Sequence, residues 1–307
     1  MVEKLRQSAT GEWRLGIDLG GTKIEAALLD GQGGMAWRER VATPADDYAA
    51  ILRAIRGLVR RAEQVAGEEL RVGIGTPGAV SPNSGLLRNS NTQCMNGRPL
   101  LEDLQQDLQR PVRIANDANC FALSEAVDGA AADGRVVFGV IIGTGTGGGL
   151  VIDRAPLTGR HAIAGEWGHN PLPWPQAFDH PRPCYCGRSG CIETYLSGPG
   201  FAANARADAG LELDARGIAE CAAAGDALCQ RQMEQYHDQL ARALAHVINL
   251  LDPDVIVLGG GMSNIDSLYT EVPPLLGRYV FSDFVDVPIR PPRYGDSSGV
   301  RGAAWLW

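Results

Sequence analysis

Two stretches of this chain share one design, an apolar run interrupted by adjacent glycines. Arg14–Leu19 and Ile24–Leu29 flank Gly20-Gly21, while Val136–Ile142 and Leu150–Ile152 flank Gly143-Thr144-Gly145-Thr146-Gly147-Gly148-Gly149. Each reads as a β-hairpin with glycines at its tip. A tight hairpin explains either stretch taken alone. Adjacent glycines also let consecutive backbone N–H groups converge on phosphate oxygens. The second run is framed too closely by strands to be a flexible linker, and two such turns would grip a nucleoside triphosphate from opposite sides. Walker A spacing is absent and the first turn leads into a strand, which disfavours a P-loop.

The rest of the chain alternates between strand and helix patterns. Tyr48–Val65 carries Ile51, Leu52, Ile55, Leu58, Val59 and Ala62 at helical spacing. Val72–Thr76 is a strand closed by Pro77-Gly78. Leu100–Leu108 and Ala118–Asp128 read as helices on either side of a strand at Val112–Ala115. Asp226–Leu251 is a long helix, Val255–Leu258 a buried-type strand leading through Gly259-Gly260-Gly261 into another helix, and Gly302–Trp307 a short terminal helix. Pro171, Pro173, Pro175, Pro181 and Pro183 keep the segment before Cys184 irregular. Alternating βα elements around two glycine hairpins predict two α/β domains facing one another.

The length of 307 residues agrees with two domains and gives core enough to dispense with disulfides. Hydrophobic residues at 45% and charged residues at 21% exclude a largely disordered chain. A net charge of −8 argues against a broad nucleic-acid surface. No apolar run is long enough to span a bilayer, and the first twelve residues lack the apolar region of a signal peptide. A cytoplasmic protein is therefore expected, with no membrane partner. An odd number of cysteines, seven, without a secretion signal makes a disulfide framework unexpected.

Four constellations carry chemistry. Asp18 and Thr22 bracket the first turn, where a carboxylate would organise magnesium and a hydroxyl would donate to phosphate. Asp117, in Asn116-Asp117-Ala118-Asn119, precedes a helix. It reads as an N-cap, as a general base for a hydroxyl attacking a γ-phosphoryl group, or as both. His169 with Cys184, Cys186 and Cys191 makes a closed tetrahedral zinc set, His180 being the alternative imidazole and three reduced cysteines in a loop the plainer reading. Such a closed site is structural, a staple for a proline-rich loop. Glu166 and Glu193 bracket that loop, placed to bond vicinal hydroxyls unless they are ordinary surface acids.

Taken in order, Asp18-Leu-Gly-Gly-Thr-Lys23, Asn116-Asp117-Ala-Asn119, Gly143-Thr-Gly145, Glu166-Trp-Gly-His169 and Cys184-Tyr-Cys-Gly-Arg-Ser-Gly-Cys-Ile-Glu193 resemble the ROK family of sugar kinases and repressors, from about Arg14 onward. Within it, Glu125–Gly129, Gly165–Trp174 and Gly295–Trp305 are most similar to bacterial fructokinases of the manno(fructo)kinase type, with N-acetylglucosamine kinases as near neighbours.

The resemblance implies a two-domain actin-like ATPase (ribonuclease H-like) α/β fold with a cleft between the domains. A small domain would span 12–117, a larger one 118–297 with the zinc loop 169–193, and a helix at about 298–307 would return to the first. It implies transfer of the γ-phosphoryl of MgATP to the 6-hydroxyl of fructose, with N-acetylglucosamine kinase or a broad gluco/mannokinase as alternatives. Asp117 would be the base. Gly78, Asn91, Asn116, Glu166, His169 and Glu193 would contact the sugar. Asp18, Gly20, Gly21, Thr22, Lys23, Gly143, Thr144, Gly145, Thr146, Gly147, Gly260 and Gly261 would contact the nucleotide. His169 would also hold zinc. A homodimer is implied too. A sugar-responsive repressor is disfavoured, because only about a dozen residues precede the first strand.

Overall fold

The computed structural model describes residues 13–307. Two compact units divide the described residues: one comprises 13–129 with Arg154–Ala164 and Asp296–Trp307, the other Ala130–Asp153 with Gly165–Gly295.

In the first unit, β1 (Arg14–Leu19), β2 (Lys23–Leu29), β3 (Met35–Ala42), β4 (Val72–Thr76) and β7 (Val112–Asn116) form a sheet of order β3-β2-β1-β4-β7. β1 and β2 are the antiparallel arms of the first glycine hairpin, and β4 and β7 add parallel to β1. Short β5 (Ala79–Val80) and β6 (Leu87–Arg88) pair beside them, and β10 (Ala155–Pro156) also belongs to this unit. Helix α1 (Tyr48–Ala66) starts where the Asp47 carboxylate accepts the Ala50 N–H, and stops at Gly67 with φ 77°. Its Ile51, Ile55, Leu58 and Val59 pack on Leu15, Ile17, Ile24 and Leu28 of the sheet. α2 (Leu100–Leu108) covers the same core.

α3 (Asp117–Val127) follows β7 directly and is capped by Asn116, whose side chain accepts the Ala118 N–H. Asp117 is therefore the first helical residue rather than the cap. The last helix, α10 (Ser298–Ala304), lies on β1, β4 and α3. Glycine permits that approach: a Cβ on Gly16 would strike Val300 and Ala304 of the helix, and one on Gly302 would strike the Cys120 carbonyl. α3 and α10 thus share one interface, and the compact unit ends at Gly129 rather than at residue 117. The terminal helix begins at Ser298, where the resemblance put it and four residues before the start read from the residue pattern, in a run small enough to be largely buried.

The second unit repeats the plan. β8 (Val136–Ile142) and β9 (Thr146–Ile152) form the second glycine hairpin, and β11 (Val255–Gly259) and β12 (Ile289–Arg290) add parallel to give the order β9-β8-β11-β12. The hairpin turn is only Gly143-Thr144-Gly145. Thr146 to Gly149, read above as part of the turn, already belong to β9. Gly148 there meets Phe138, Trp167 and Gly165, which leaves no room for a side chain.

α4 (Glu193–Leu196), α5 (Gly198–Ala209), α6 (Ala215–Ala223) and α7 (Ala227–Leu251) pack behind the sheet, followed by α8 (Ser267–Glu271) and α9 (Pro273–Leu276). A 3-10 turn over Gly261–Asn264, rather than an α-helix, follows the third glycine run. Fully buried Arg242 on α7 forks onto Asp179 at 2.7 and 3.0 Å, bonds Asp238 at 2.8 Å and donates to the Pro173 carbonyl. That network ties the proline-rich segment to the helix layer. Among the described residues no helix is long and apolar enough to cross a membrane.

Candidate functional site

In the first unit the predicted residues gather at the ends of β1, β4 and β7. Gly20 N–H closes the hairpin on the Lys23 carbonyl at 3.0 Å. Gly21 is approached by the Asn91 amide oxygen, at 3.4 Å from where a Cβ would stand, so Asn91 lies beside the first turn. Thr22 is exposed, and Lys23 begins β2 with its ammonium 3.9 Å from buried Glu25. Gly78 has φ +83°, and its would-be Cβ meets Arg88 and Ser90 backbone, so only glycine fits. Its carbonyl accepts from the Asn116 amide at 3.1 Å, which joins two of the predicted sugar contacts. Asp117 is exposed at the start of α3, with Oδ1 accepting the Ala118 N–H at 2.9 Å.

Asp18 is the electrostatic centre of this group. Burial, then Asp117, then Glu25 push its carboxyl up to about 6, outweighing Lys23 and Arg40. A half-buried carboxylate crowded by a second one suits a hard cation, which would restore the ionised form, so the residues fit magnesium. For a carboxyl raised in the folded state, ionisation destabilises that state. The cost is absent below the ordinary value of 3.8 and complete above about 6. Asp18→Asn is therefore expected to stabilise the substrate-free protein by about 1–3 kcal/mol at pH 7.5, with the gap narrowing as pH falls to 5. Urea melts at both values check this, and an equal gap at the two would refute it.

In the second unit, His169, Cys184, Cys186 and Cys191 bring their ligand atoms within 4.8 Å of one another. His169 Nδ1 lies 3.6 Å from Cys184 Sγ, and Cys186 Sγ lies 3.6 Å from Cys191 Sγ. Tetrahedral zinc with Zn–S of about 2.3 Å and Zn–N of about 2.0–2.1 Å requires edges of about 3.5–3.8 Å, so the donor set fits. Burial pushes Cys184 up and Cys191 up to about 12, while the Arg188 N–H lowers Cys186. Three ionised thiolates here would need a cation. His180, the alternative ligand, instead pairs with Asp208 at 2.9 Å.

The same loop carries the two acids. His169 sits in a 3-10 turn, Trp167–His169, that β9 holds in place: Trp167 donates to the Gly147 carbonyl at 2.8 Å. Glu166, just before it, is exposed. Glu193 opens α4, and its Oε2 accepts the Thr146 N–H at 2.9 Å. Gly143, Thr144 and Gly261 line a cavity of about 1520 Å3 bounded by α6, α7 and α8, and Gly260, φ +83°, packs against the Ile142–Gly143 backbone too closely for a side chain.

Sequence reasoning missed two residues of this unit, Tyr185 and His237. The Tyr185 hydroxyl meets His169 Nε2 at 2.9 Å, a partner that orients the imidazole from outside the cluster. Its place between two motif cysteines was the available signal. His237 lines the cavity, 2.9 Å from the Ser267 hydroxyl, and burial lowers its pKa so that it is neutral at pH 7. Nothing in the helical pattern of α7 sets it apart.

Comparison with known proteins follows this geometry. The ROK family model matches residues 14–307. An N-acetyl-D-glucosamine kinase of Salmonella typhimurium is 42% identical over 296 residues, covering 95% of this chain and 98% of that protein. The ROK hexokinase of Thermus thermophilus superposes with a TM-score of 0.84 at 31% identity, covering 96% of this chain and 97% of the other. A ROK family glucokinase of Streptomyces griseus, solved with glucose and AMPPNP, gives 0.73 at 27% identity, with 96% and 98% covered. The two sheets are thus those of the actin-like ATPase fold. Fructose, the acceptor expected from the sequence, is named by none of these three relatives. Two of the three stretches behind that expectation, Glu125–Gly129 and Gly295–Trp305, are packing elements: Glu125 is buried and accepts from Ser298, Asp128 pairs with Arg301, and Gly302 abuts Cys120. On the full-length match of its family model and the identity to these relatives, the chain belongs to the ROK family.

Proposed function

We propose that the chain is an ATP-dependent sugar kinase that phosphorylates the 6-hydroxyl of N-acetylglucosamine. The observation that carries the acceptor is the 42% identity over 296 residues to kinases named for that sugar, a span that includes every site residue.

The first unit supplies Asp117, which accepts the proton of the attacking hydroxyl, with Asn116, Gly78 and Asn91 for sugar contacts. The second supplies Glu166, His169 and Glu193 as acceptors for the ring hydroxyls. Asp18 and the turn at Gly20–Lys23 in the first unit, and Gly143 to Gly147 in the second, are the phosphate contacts of this reading, and Gly260 and Gly261 those of the nucleoside. Magnesium, when bound near Asp18, neutralises charge on the transferring phosphates. Zinc, when bound by His169, Cys184, Cys186 and Cys191, fixes the loop that carries the acids.

The cavity favours a nucleotide donor over polyphosphate. Its wall bears Asp214, Glu220, Glu234, Asp266 and Glu271 against Arg216, whose guanidinium is already paired with Glu220 at 2.7 Å. An acidic wall accepts a neutral base and ribose and repels a polyanion. The homodimer stays part of this reading, supported by the exposed Phe281, Phe284, Leu250 and Leu251.

The test is kcat/KM with MgATP for N-acetylglucosamine, glucose, mannose and fructose. N-acetylglucosamine is expected to lead by at least tenfold. A lead for fructose would restore the acceptor read from the sequence, and no turnover by folded, metal-loaded protein would overturn the enzymatic reading.

A further inference from the structure

The carboxylate of Glu193 has two faces, and only one is explained by a sugar. Its Oε2 accepts the N–H of Thr146, the residue directly after the Gly143–Gly145 turn. The same oxygen stands 2.8 Å from where a Cβ on Gly145 would be, so the carboxylate packs against the turn itself. At the other end of this short segment, the Gly198 N–H donates to the Gly143 carbonyl at 2.8 Å. The short segment from Glu193, which opens α4, to Gly198, which opens α5, thus clamps the glycine turn on both sides, through a side chain and through backbone.

Glu193 is itself held firmly. The Ile192 N–H bonds the Asn170 carbonyl at 2.9 Å, and the Thr194 N–H bonds the Cys191 carbonyl at 2.8 Å. Its second oxygen, Oε1, lies 3.9 Å from Cys184 Sγ, on the side of His169. Buried Tyr195 and Leu196 lock α4 into the core. Gly143 and Thr144, the residues being clamped, border the large cavity.

We infer that Glu193 is a positioning residue for the phosphate-binding turn: Oε2 fixes Gly143–Thr146 for the nucleotide while Oε1 faces the sugar. The inference rests on the kinase reading above. One side chain then serves both substrates. Loss of the Oε2 bond leaves the buried Thr146 amide without its acceptor and lets the turn relax. A residue that touched only the sugar would leave the nucleotide side unaffected.

The experiment pairs kinetics with direct binding. Glu193→Ala is expected to raise KM for both the sugar and MgATP about tenfold, and to weaken Mg-AMPPNP binding about tenfold by calorimetry without sugar. Glu193→Gln keeps an oxygen for the Thr146 N–H, so its Mg-AMPPNP affinity should stay within about twofold of wild type while its sugar KM rises. Where Glu193→Ala does not fold, Glu193→Asp replaces it, since its carboxylate falls one CH2 short of Thr146 and should show the same nucleotide defect. Unchanged Mg-AMPPNP affinity in the folded Ala or Asp variant overturns the inference, as does an equal defect in Gln. A wild-type chain that turns over no sugar, yet loses Mg-AMPPNP affinity on Glu193→Ala and regains it with Gln, would overturn the kinase reading and leave the positioning role standing.

Discussion

Asp117→Asn is expected to lower kcat by about a thousandfold or more and to leave the protein folded. A positioned general base contributes on the order of 10²–10⁴ in rate, and an amide cannot take the hydroxyl proton. Folding survives because the start of α3 does not depend on Asp117. The Ala118 N–H is also accepted by the Asn116 side chain at 2.9 Å, so the cap persists. The substitution also removes a charge that pushes Asp18 upward, so the thermal midpoint of the substrate-free variant should hold or rise. Steady-state kinetics at saturating sugar and MgATP, with a thermal melt on the same sample, check both halves. A kcat within tenfold of wild type would remove Asp117 from the role of base.

Zinc removal is the second large effect, and it acts on geometry instead of proton transfer. Purified protein is expected to hold one zinc per chain, and Cys184→Ser to lose it. The core of the unit should stay folded, because Ile192, Tyr195, Leu196 and the Arg242–Asp179 network lie outside the cluster. The segment from His180 to Gly190, beyond the Asp179 anchor, should become sensitive to protease. His169 loses its anchor and Glu193 one of its neighbours, so the sugar KM should rise by about 10–100-fold, the range seen when support around a metal site is removed. Metal analysis, limited proteolysis and kinetics on one preparation test this. A zinc-free wild type with full activity would sink it.

The parts of this molecule legible in its sequence are those where side-chain pattern and burial coincide. The arms of both hairpins are apolar because their sheets are covered, and α1 shows its buried face at every turn. β3 was invisible because it is an edge strand whose Arg38 and Arg40 reach Glu25 at 2.5 Å, giving a charged segment with no apolar alternation. The limit of α10 was misjudged for a different reason. Ser298, Gly299, Gly302, Ala303 and Ala304 are small because backbone packs on backbone there, and small residues carry no periodicity. Gly148 and Gly149 looked like turn residues, although Gly148 is a strand residue stripped of its side chain for Phe138 and Trp167.

The site divides the same way. Cysteine and histidine spacing announced the metal donor set with His169 in it, and the coordinates add that His180, the alternative, is engaged by Asp208 instead. The roles of Tyr185 and His237 depend on contacts that no short motif encodes. Fructose was expected from three stretches, of which two hold α3 to α10, while the three relatives do not name it; the shape of a sugar pocket leaves no local signature in a single chain.

α10 has a consequence for the birth of the protein. The first unit begins with β1, yet its sheet is covered by residues that follow the whole of the second unit. On the ribosome, β1 and β4 therefore emerge with Gly16 and Gly73 facing nothing, and remain so while the second unit is made. At about 5–20 residues per second, the delay is on the order of ten seconds to half a minute. Throughout it the second unit can complete its own core, whereas the first waits with an apolar surface open to solvent. The half that is translated first is the half that finishes folding last.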